Sequence, residues 1–144
     1  MKFSPLILAL TLALGAHAAP STPDSASTYL VCTGFEPLWH PGWYESTAEM
    51  DGKTKRIIKL SQGGTKAMTN TMALGEQVFD LTTDGESYTG SKELNIARQG
   101  RRISKASISI DRITGLTSVA FTVPGEPLEL VAFTGNCQRA SLKF

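Results

Sequence analysis

Short runs of alternating polar and apolar residues, separated by turn signals, constrain the fold of this chain more than any other feature of its sequence. Alternation with a period of two is typical of half-buried β-strands, and no stretch after the first 19 residues keeps a helical period. The chain is therefore predicted to be all-β, a small antiparallel barrel of about eight strands. We expect strands at 28–33, 43–50, 55–61, 77–83, 86–98, 102–111, 116–123 and 128–137, with an irregular strand at 65–74.

The turns and the predicted core follow from the same pattern. Asp51-Gly52 and Asp84-Gly85 are typical of hairpin turns, because glycine tolerates the positive φ that such turns require. One face of each strand is apolar, and these faces together are expected to form an ordinary filled core. Its predicted members are Phe79, Leu81, Leu94, Ile96, Ile108, Ile110, Val119, Phe121, Val123, Leu128 and Leu130.

The first 19 residues have the layout of a cleaved secretory signal, with a charge at Lys2, an apolar run over 6–14 and small residues up to the predicted cleavage site. The apolar run is roughly half the length that a membrane-spanning helix requires, so no membrane span is predicted. We expect residues 20–27 to form a flexible lead and residues 28–144 to form a single β domain. The predicted location is the periplasm or the extracellular medium.

The chain has two cysteines, Cys32 and Cys137, near the two ends of the predicted domain. In an exported protein an even pair of cysteines is typical of a disulfide. A bridge that closes so long a loop stabilises a domain by about 4 to 5 kcal/mol in the chain-entropy treatment. We therefore predict that one Cys32–Cys137 disulfide fastens the ends of the barrel together.

The charges and the histidines exclude several classes of partner and of chemistry. The formal net charge is +1 at pH 7, and removal of Lys2 with the signal brings it near zero, so nucleic acid is not an expected partner.

Of the two histidines, His17 lies in the predicted signal, which leaves His40 alone in a proline-bounded loop. The sequence contains no catalytic triad pattern, phosphate loop or closely spaced set of metal ligands. We predict that the protein is not an enzyme and has no catalytic residues, metal or cofactor.

The stretch CTGFEPLWHPGW at 32–43 contains one cysteine, one histidine, two tryptophans, two prolines and two glycines within twelve positions. Pro37 and Pro41 have a fixed φ and restrict the backbone conformation of the residues that precede them. We therefore expect a stiff corner whose conformation is largely fixed by its sequence. Trp39 and Trp43 carry the largest apolar areas, and two interpretations of them remain open. One tryptophan can plug an end of the barrel, or both can form an exposed surface for binding a partner.

The same stretch carries a first resemblance. CTGFEPLW is similar to the C-x-G-x-E-P-F-W signature of small exported bacterial proteins, with Leu38 where phenylalanine is usual. The segment IDRITG at 110–115, followed by TGNC and a terminal LKF, also resembles such proteins. The resemblance implies export from a bacterial cell and implies no particular activity.

A second resemblance names a function. The tyrosine and cysteine of YLVC at 29–32, the distant second cysteine and the segment DGESY at 84–88 resemble the periplasmic and membrane-bound inhibitors of C-type lysozyme. Asp84 stands where that family has serine. The resemblance implies an eight-stranded barrel with a loop that enters the cleft of a host lysozyme. In that arrangement Ser87 and Tyr88 donate hydrogen bonds, while Arg98 or Arg101 faces the lysozyme carboxylates.

Two other functions remain as alternatives to an inhibitor. One is a structural or envelope-associated β domain without a soluble ligand. The other is a carrier of a small ligand, which requires a hollow barrel and ranks last because the predicted core is large enough to fill one. The binding residues predicted from the sequence are Ser87, Tyr88, Arg98, Arg101, Trp39 and Trp43.

Overall fold

A computed structural model of the 144-residue chain describes residues 27–37, 39–40, 43–44, 54–98 and 100–141. The predicted signal at 1–19, most of the predicted lead and most of the predicted strand at 43–50 lie outside these residues. In the part that is described, the regular structure consists of β-strands and one 3-10 turn, Gln62–Gly64. None of the described helical structure is long and apolar enough to cross a membrane.

The strand bounds agree with the sequence pattern at most positions. The strands are β1 Thr28–Phe35, β2 Trp39–His40, β3 Trp43–Tyr44, β4 Thr54–Ser61, β5 Lys66–Thr71, β6 Gly75–Asp80, β7 Thr82–Thr83, β8 Ser87–Arg98, β9 Arg101–Asp111, β10 Leu116–Thr122 and β11 Leu130–Arg139. The irregular strand expected at 65–74 is β5 followed by a turn at 72–74. The segment 86–98 is almost entirely β8, whose pairing with β9 shifts register between Glu93 and Ile96.

Nine of the strands form one antiparallel sheet in the order β6-β5-β4-β1-β11-β10-β9-β8-β7, and β2 pairs with β3 in a separate hairpin. β6 and β7 are separated only by Leu81, so one bent segment pairs with β5 through β6 and with β8 through β7. This bend brings the two edges of the sheet together into a nearly closed barrel. The predicted all-β antiparallel barrel is therefore confirmed.

The closure of the barrel depends on a close approach of two backbones at Gly90. A Cβ atom at this position of β8 would lie 2.6 Å from the Asp80 carbonyl oxygen and 3.0 Å from the Leu81 side chain. Only a residue without a side chain lets the end of β6 approach β8 so closely. On the other side of the bend, the Leu81 N–H donates to the Thr65 carbonyl at 2.8 Å.

The predicted disulfide is also confirmed. Cys32 and Cys137 are directly opposite each other in the β1–β11 pair and are bonded across a sequence separation of 105 residues. Gly34 and Gly135 form the pair two residues further along, where a Cβ on Gly34 would overlap the Thr134 carbonyl oxygen. The first and last long strands of the described barrel therefore meet at a tight, covalently fastened seam.

The inward faces of the strands fill the barrel. Most of the predicted core is buried, while Leu94, Ile96 and Leu130 are partly buried and pack against it. Leu128 was predicted wrongly, because it lies in the loop before β11 and is 74% exposed. Several of the most deeply buried side chains were missed by the sequence prediction, namely Phe133, Ile58, Leu74 and Ile103.

Glu36 and Pro37, described residues of the CTGFEPLW stretch, follow the end of β1, and we call this place the corner. Arg56 of β4 donates from Nε to Oε1 of Glu36 at 2.7 Å and from Nη2 to Oε2 at 2.6 Å. The Glu36 side chain is only 1% exposed, whereas that of Arg56 is 29% exposed, and Pro37 beside it is buried. The hydrogen bond to Glu36 raises the pKa of Arg56 above its ordinary value and so favours the charged guanidinium. Trp39 and Trp43 have described backbones in β2 and β3, but their side chains lie outside the described part, so both interpretations of them stay predictions.

Because Arg56 and Glu36 are unequally exposed, we expect the loss of stability to differ between a substitution of Arg56 and a substitution of Glu36. Arg56→Met leaves the deeply buried Glu36 carboxylate without its partner, and we expect it to lower the free energy of unfolding by about 3 to 5 kcal/mol. Glu36→Gln leaves a guanidinium that water can reach, so the loss should be clearly smaller. Urea denaturation gives both values, and Lys66→Met, which removes an exposed ion pair with Asp80, is the control and should leave the midpoint nearly unchanged. Equal losses for Arg56→Met and Glu36→Gln would contradict this account of the corner.

Candidate functional site

One end of the barrel is open and contains a pocket of about 530 Å³. We call it the open-end pocket. It is lined by Thr28, Leu30, Leu60, Gly63, Gly64, Tyr88, Ile110, Asp111, Arg112, Gly115, Cys137 and Arg139. Further along the same strands, Ile58 and Ile108 are buried in the core, so the pocket ends on a filled interior.

The turn between β7 and β8 is exposed at this end and is held by its own side chains. Asp84 Oδ1 accepts hydrogen bonds from the backbone N–H of Ser87 at 2.8 Å and of Glu86 at 3.0 Å, and the Ser87 hydroxyl lies 3.2 Å from both carboxylate oxygens. These bonds, the Ser87 N–H first, lower the pKa of Asp84 below its ordinary value. Gly85 between them has φ of +97°, which glycine adopts without strain. The turn is exposed but locally ordered.

Arg112 connects this turn to the next one along the barrel. Its backbone N–H donates to the Glu86 carbonyl at 2.7 Å, and its Nη1 donates to the Gly85 carbonyl at 2.9 Å. The guanidinium carbon also lies 5.0 Å from the centre of the Tyr88 ring, within the range of a cation–π contact. One arginine therefore fixes both the backbone of the turn and the ring beside it.

The turn between β9 and β10 is fastened in the same way. Asp111 Oδ1 accepts from the N–H groups of Ile113 and Thr114, each at 2.8 Å, and these bonds, that of Thr114 first, lower the pKa of Asp111. The Gly115 carbonyl accepts from the N–H of Cys137 at 2.8 Å. This turn is therefore bound to β11 directly beside the disulfide.

Tyr88 lies across the open-end pocket between two turns. Its ring is next to Arg112 on one side, and a Cβ on Gly64 would lie 3.0 Å from its hydroxyl on the other. The side chain is half-buried and packs against the core. Among the described residues its hydroxyl has no hydrogen-bond partner, so it can donate to or accept from a ligand.

The structure separates the binding residues predicted from the sequence. Ser87 and Tyr88 begin β8, whereas Arg98 ends it, and at about 3.3 Å per residue the strand places Tyr88 and Arg98 roughly 30 Å apart. Arg98 lies against Gly75 at the other end of the barrel, and Arg101 forms an ion pair with Glu126 at 3.8 Å. Neither arginine can share a site with Ser87 and Tyr88.

Two other arginines occupy the place that the sequence interpretation gave to Arg98 and Arg101. Arg112 and Arg139 both line the open-end pocket, and sequence reasoning missed them. The sequence contained a signal for Arg112. In a meander of β8, β9 and β10, the antiparallel pairing of β8 with β9 places the end of β9, IDRITG, beside the start of β8, DGESY. Arg139 had no such signal, since its position depends on the pairing of β11 with β1.

The arrangement can bind but offers little for catalysis. Both carboxylates of the turns, Asp84 and Asp111, accept backbone hydrogen bonds that favour their charged forms, which is unsuitable for a general acid. Within the described residues no three histidine, cysteine or acidic side chains are placed to hold a metal ion. What the open end presents is hydrogen-bond donors, two guanidinium groups and an apolar floor.

Comparisons with protein families, with curated proteins and with solved structures gave no significant match to this chain.

The carboxylates of the two turns predict how the open end responds to acid. Because the pKa of Asp84 and that of Asp111 are lower in the folded protein than the ordinary 3.8, their stabilisation is present above pH 3.8 and is lost as the pH falls through the lower folded values. In NMR spectra the amide signals of Ser87 and Thr114 should therefore titrate with midpoints below 3.8.

Asp84→Ala is the matched control for this titration. It should abolish the inflection at Ser87 and preserve the inflection at Thr114, because each amide reports its own carboxylate. Midpoints at or above 3.8 in the unaltered protein would show that these hydrogen bonds do not favour the charged forms.

Proposed function

We propose that this protein is an exported bacterial binding protein without catalytic activity, and that it inhibits C-type lysozyme by inserting the turn at 84–88 into the lysozyme cleft. The observation that carries the proposal is the exposed turn at the open end of the barrel, which is ordered by its own hydrogen bonds. Asp84 and Arg112 hold its backbone from both sides. A loop that is ordered before binding loses little conformational entropy in the complex, which favours affinity.

The charges at the open end also favour a cleft that contains carboxylates. Glycosidases of the lysozyme type use a pair of carboxyl groups beside the scissile bond. Arg112 lies at the base of the turn and, among the described residues, pairs with a backbone carbonyl and an aromatic ring but with no carboxylate. We assign to Arg112 the contact with the lysozyme carboxylates that the sequence interpretation assigned to Arg98 or Arg101.

The disulfide supports the exported location in this proposal. A bond between Cys32 and Cys137 is compatible with an oxidising compartment, where such bridges form and persist. The signal-like sequence at the start of the chain supports the same location. Periplasm and extracellular medium both meet this condition, and both are places where a bacterium encounters host lysozyme.

The assay is the lysis of bacterial cell walls by C-type lysozyme in the presence of the purified mature protein. Ser87→Ala combined with Tyr88→Ala should weaken inhibition by about 30-fold, equivalent to roughly 2 kcal/mol, because insertion loops act through a few buried contacts. Arg112→Gln should weaken it by about tenfold or more, because the charged hydrogen bond to a carboxylate is lost. Thermal unfolding of each variant shows whether the barrel remains folded.

Arg102→Gln is the matched control, since Arg102 is an exposed arginine near the opposite end of the barrel. It should inhibit as well as the unaltered protein. Absence of inhibition at micromolar concentration would overturn the proposed partner. Inhibition that persists in both open-end variants but is lost in Arg98→Gln would place the binding surface at the other end.

A further inference from the structure

The open-end pocket has the size and composition of a small-molecule site, separately from the turn at its rim. Its volume of about 530 Å³ lies within the range of roughly 300 to 1,000 Å³ that is typical of ligand pockets. Such pockets combine apolar walls with a few convergent polar groups. A second depression of about 430 Å³ on β1 and β11 is lined mainly by polar and small side chains, and it has no comparable apolar floor.

The charged side chains of the open-end pocket favour an anion. Arg112 and Arg139 contribute two positive charges and Asp111 contributes one negative charge, so the lining has a net charge of one positive unit. Asp111 is occupied by two backbone N–H groups of its own turn. The Arg139 side chain makes no hydrogen bond or ion pair within the described residues, and this leaves the five N–H donors of its guanidinium available to a ligand.

The floor of the open-end pocket favours an apolar group attached to that anion. Leu30, Leu60 and Ile110 face the pocket from three different strands, and the Tyr88 ring covers one side of it. Burial of each methylene group on such a surface is worth up to about fourfold in affinity. The Tyr88 hydroxyl, which has no hydrogen-bond partner among the described residues, can supply a further polar contact.

We propose that the open-end pocket binds a small amphiphilic anion, whose carboxylate or phosphate group is held by Arg112 and Arg139 and whose short alkyl chain lies on Leu30, Leu60 and Ile110. A guanidinium can bind either oxyanion with two parallel hydrogen bonds, so the shared chemistry is that of a planar donor pair facing two oxygens. This inference does not depend on the inhibition of lysozyme. Arg139 belongs to β11 and is not part of the turn that the lysozyme proposal uses.

The experiment is isothermal titration calorimetry of the purified mature protein with four ligands that share an eight-carbon chain. Octanoate and octyl phosphate carry the two proposed anionic groups, 1-octanol is uncharged and octylamine is a cation. We expect at least one of the two anions to bind at least tenfold more tightly than 1-octanol, and octylamine to bind most weakly of all. Butanoate should bind at least tenfold more weakly than octanoate, because it covers less of the apolar floor.

Arg139→Gln is the decisive variant, because this side chain makes no hydrogen bond or ion pair within the described residues and is exposed. It should weaken the binding of whichever anion binds best by about tenfold and leave the affinity for 1-octanol unchanged. Arg102→Gln, far from the pocket, should change neither affinity. Thermal unfolding in the absence of ligand is expected to be the same for both variants.

The outcomes separate this site from the proposed inhibitor function. Binding of octyl phosphate alone or of octanoate alone supports the site and identifies the anionic group. Equal affinities for the anions and octylamine, no binding at millimolar concentration, or an affinity unaffected by Arg139→Gln would overturn the site. An Arg139→Gln variant that loses anion binding but still inhibits lysozyme would show that the pocket and the turn act independently.

Discussion

The pairing of β1 with β11 is the interaction on which the rest of the structure depends. From β4 to β11 each described strand pairs with its neighbours in sequence, except at the bend between β6 and β7, and β1 lies between β4 and β11. Without this seam the same strands would form an open sheet with two exposed edges, which is prone to pairing with other chains. The disulfide lies within the seam, between residues that face each other in register. It restricts the unfolded chain most strongly where the longest loop must close.

The two ends of the barrel differ in how their charged side chains are paired. At one end, Glu36 follows the last residue of β1 and its buried carboxylate is neutralised by Arg56, whose two donors match its two oxygens. That end is stabilised by an ion pair that is costly to break. At the other end, Arg112 and Arg139 form no ion pair with a carboxylate within the described residues. Within the described residues, the two guanidinium groups without a carboxylate partner that line a pocket are therefore both at the open end.

The turns at the open end support one another instead of acting as independent loops. Arg112 belongs to the turn after β9. It nevertheless donates a hydrogen bond to the carbonyl of Gly85, in the turn before β8, and contacts the ring of Tyr88, at the start of β8. The Gly115 carbonyl binds the N–H of Cys137, so these two turns are also connected to the disulfide seam. These hydrogen bonds give both the turn and the pocket beside it a defined shape, which is the kind of order that favours binding.

The sequence alone determined the class of the fold, the position of most strands, the turn at Asp84-Gly85 and the disulfide, because each follows from a local signal or from simple pairing. Period-two alternation is visible within six residues, and two cysteines in an exported chain have one partner each. The sequence could not show that Leu128 precedes its strand, that Glu36 binds Arg56 across 20 residues, or that Arg98 lies roughly 30 Å from Tyr88. These facts depend on strand register and on the closure of the barrel. Register and closure bring together residues that are distant in the chain, and only the tertiary structure decided which of the arginines share an end with Tyr88.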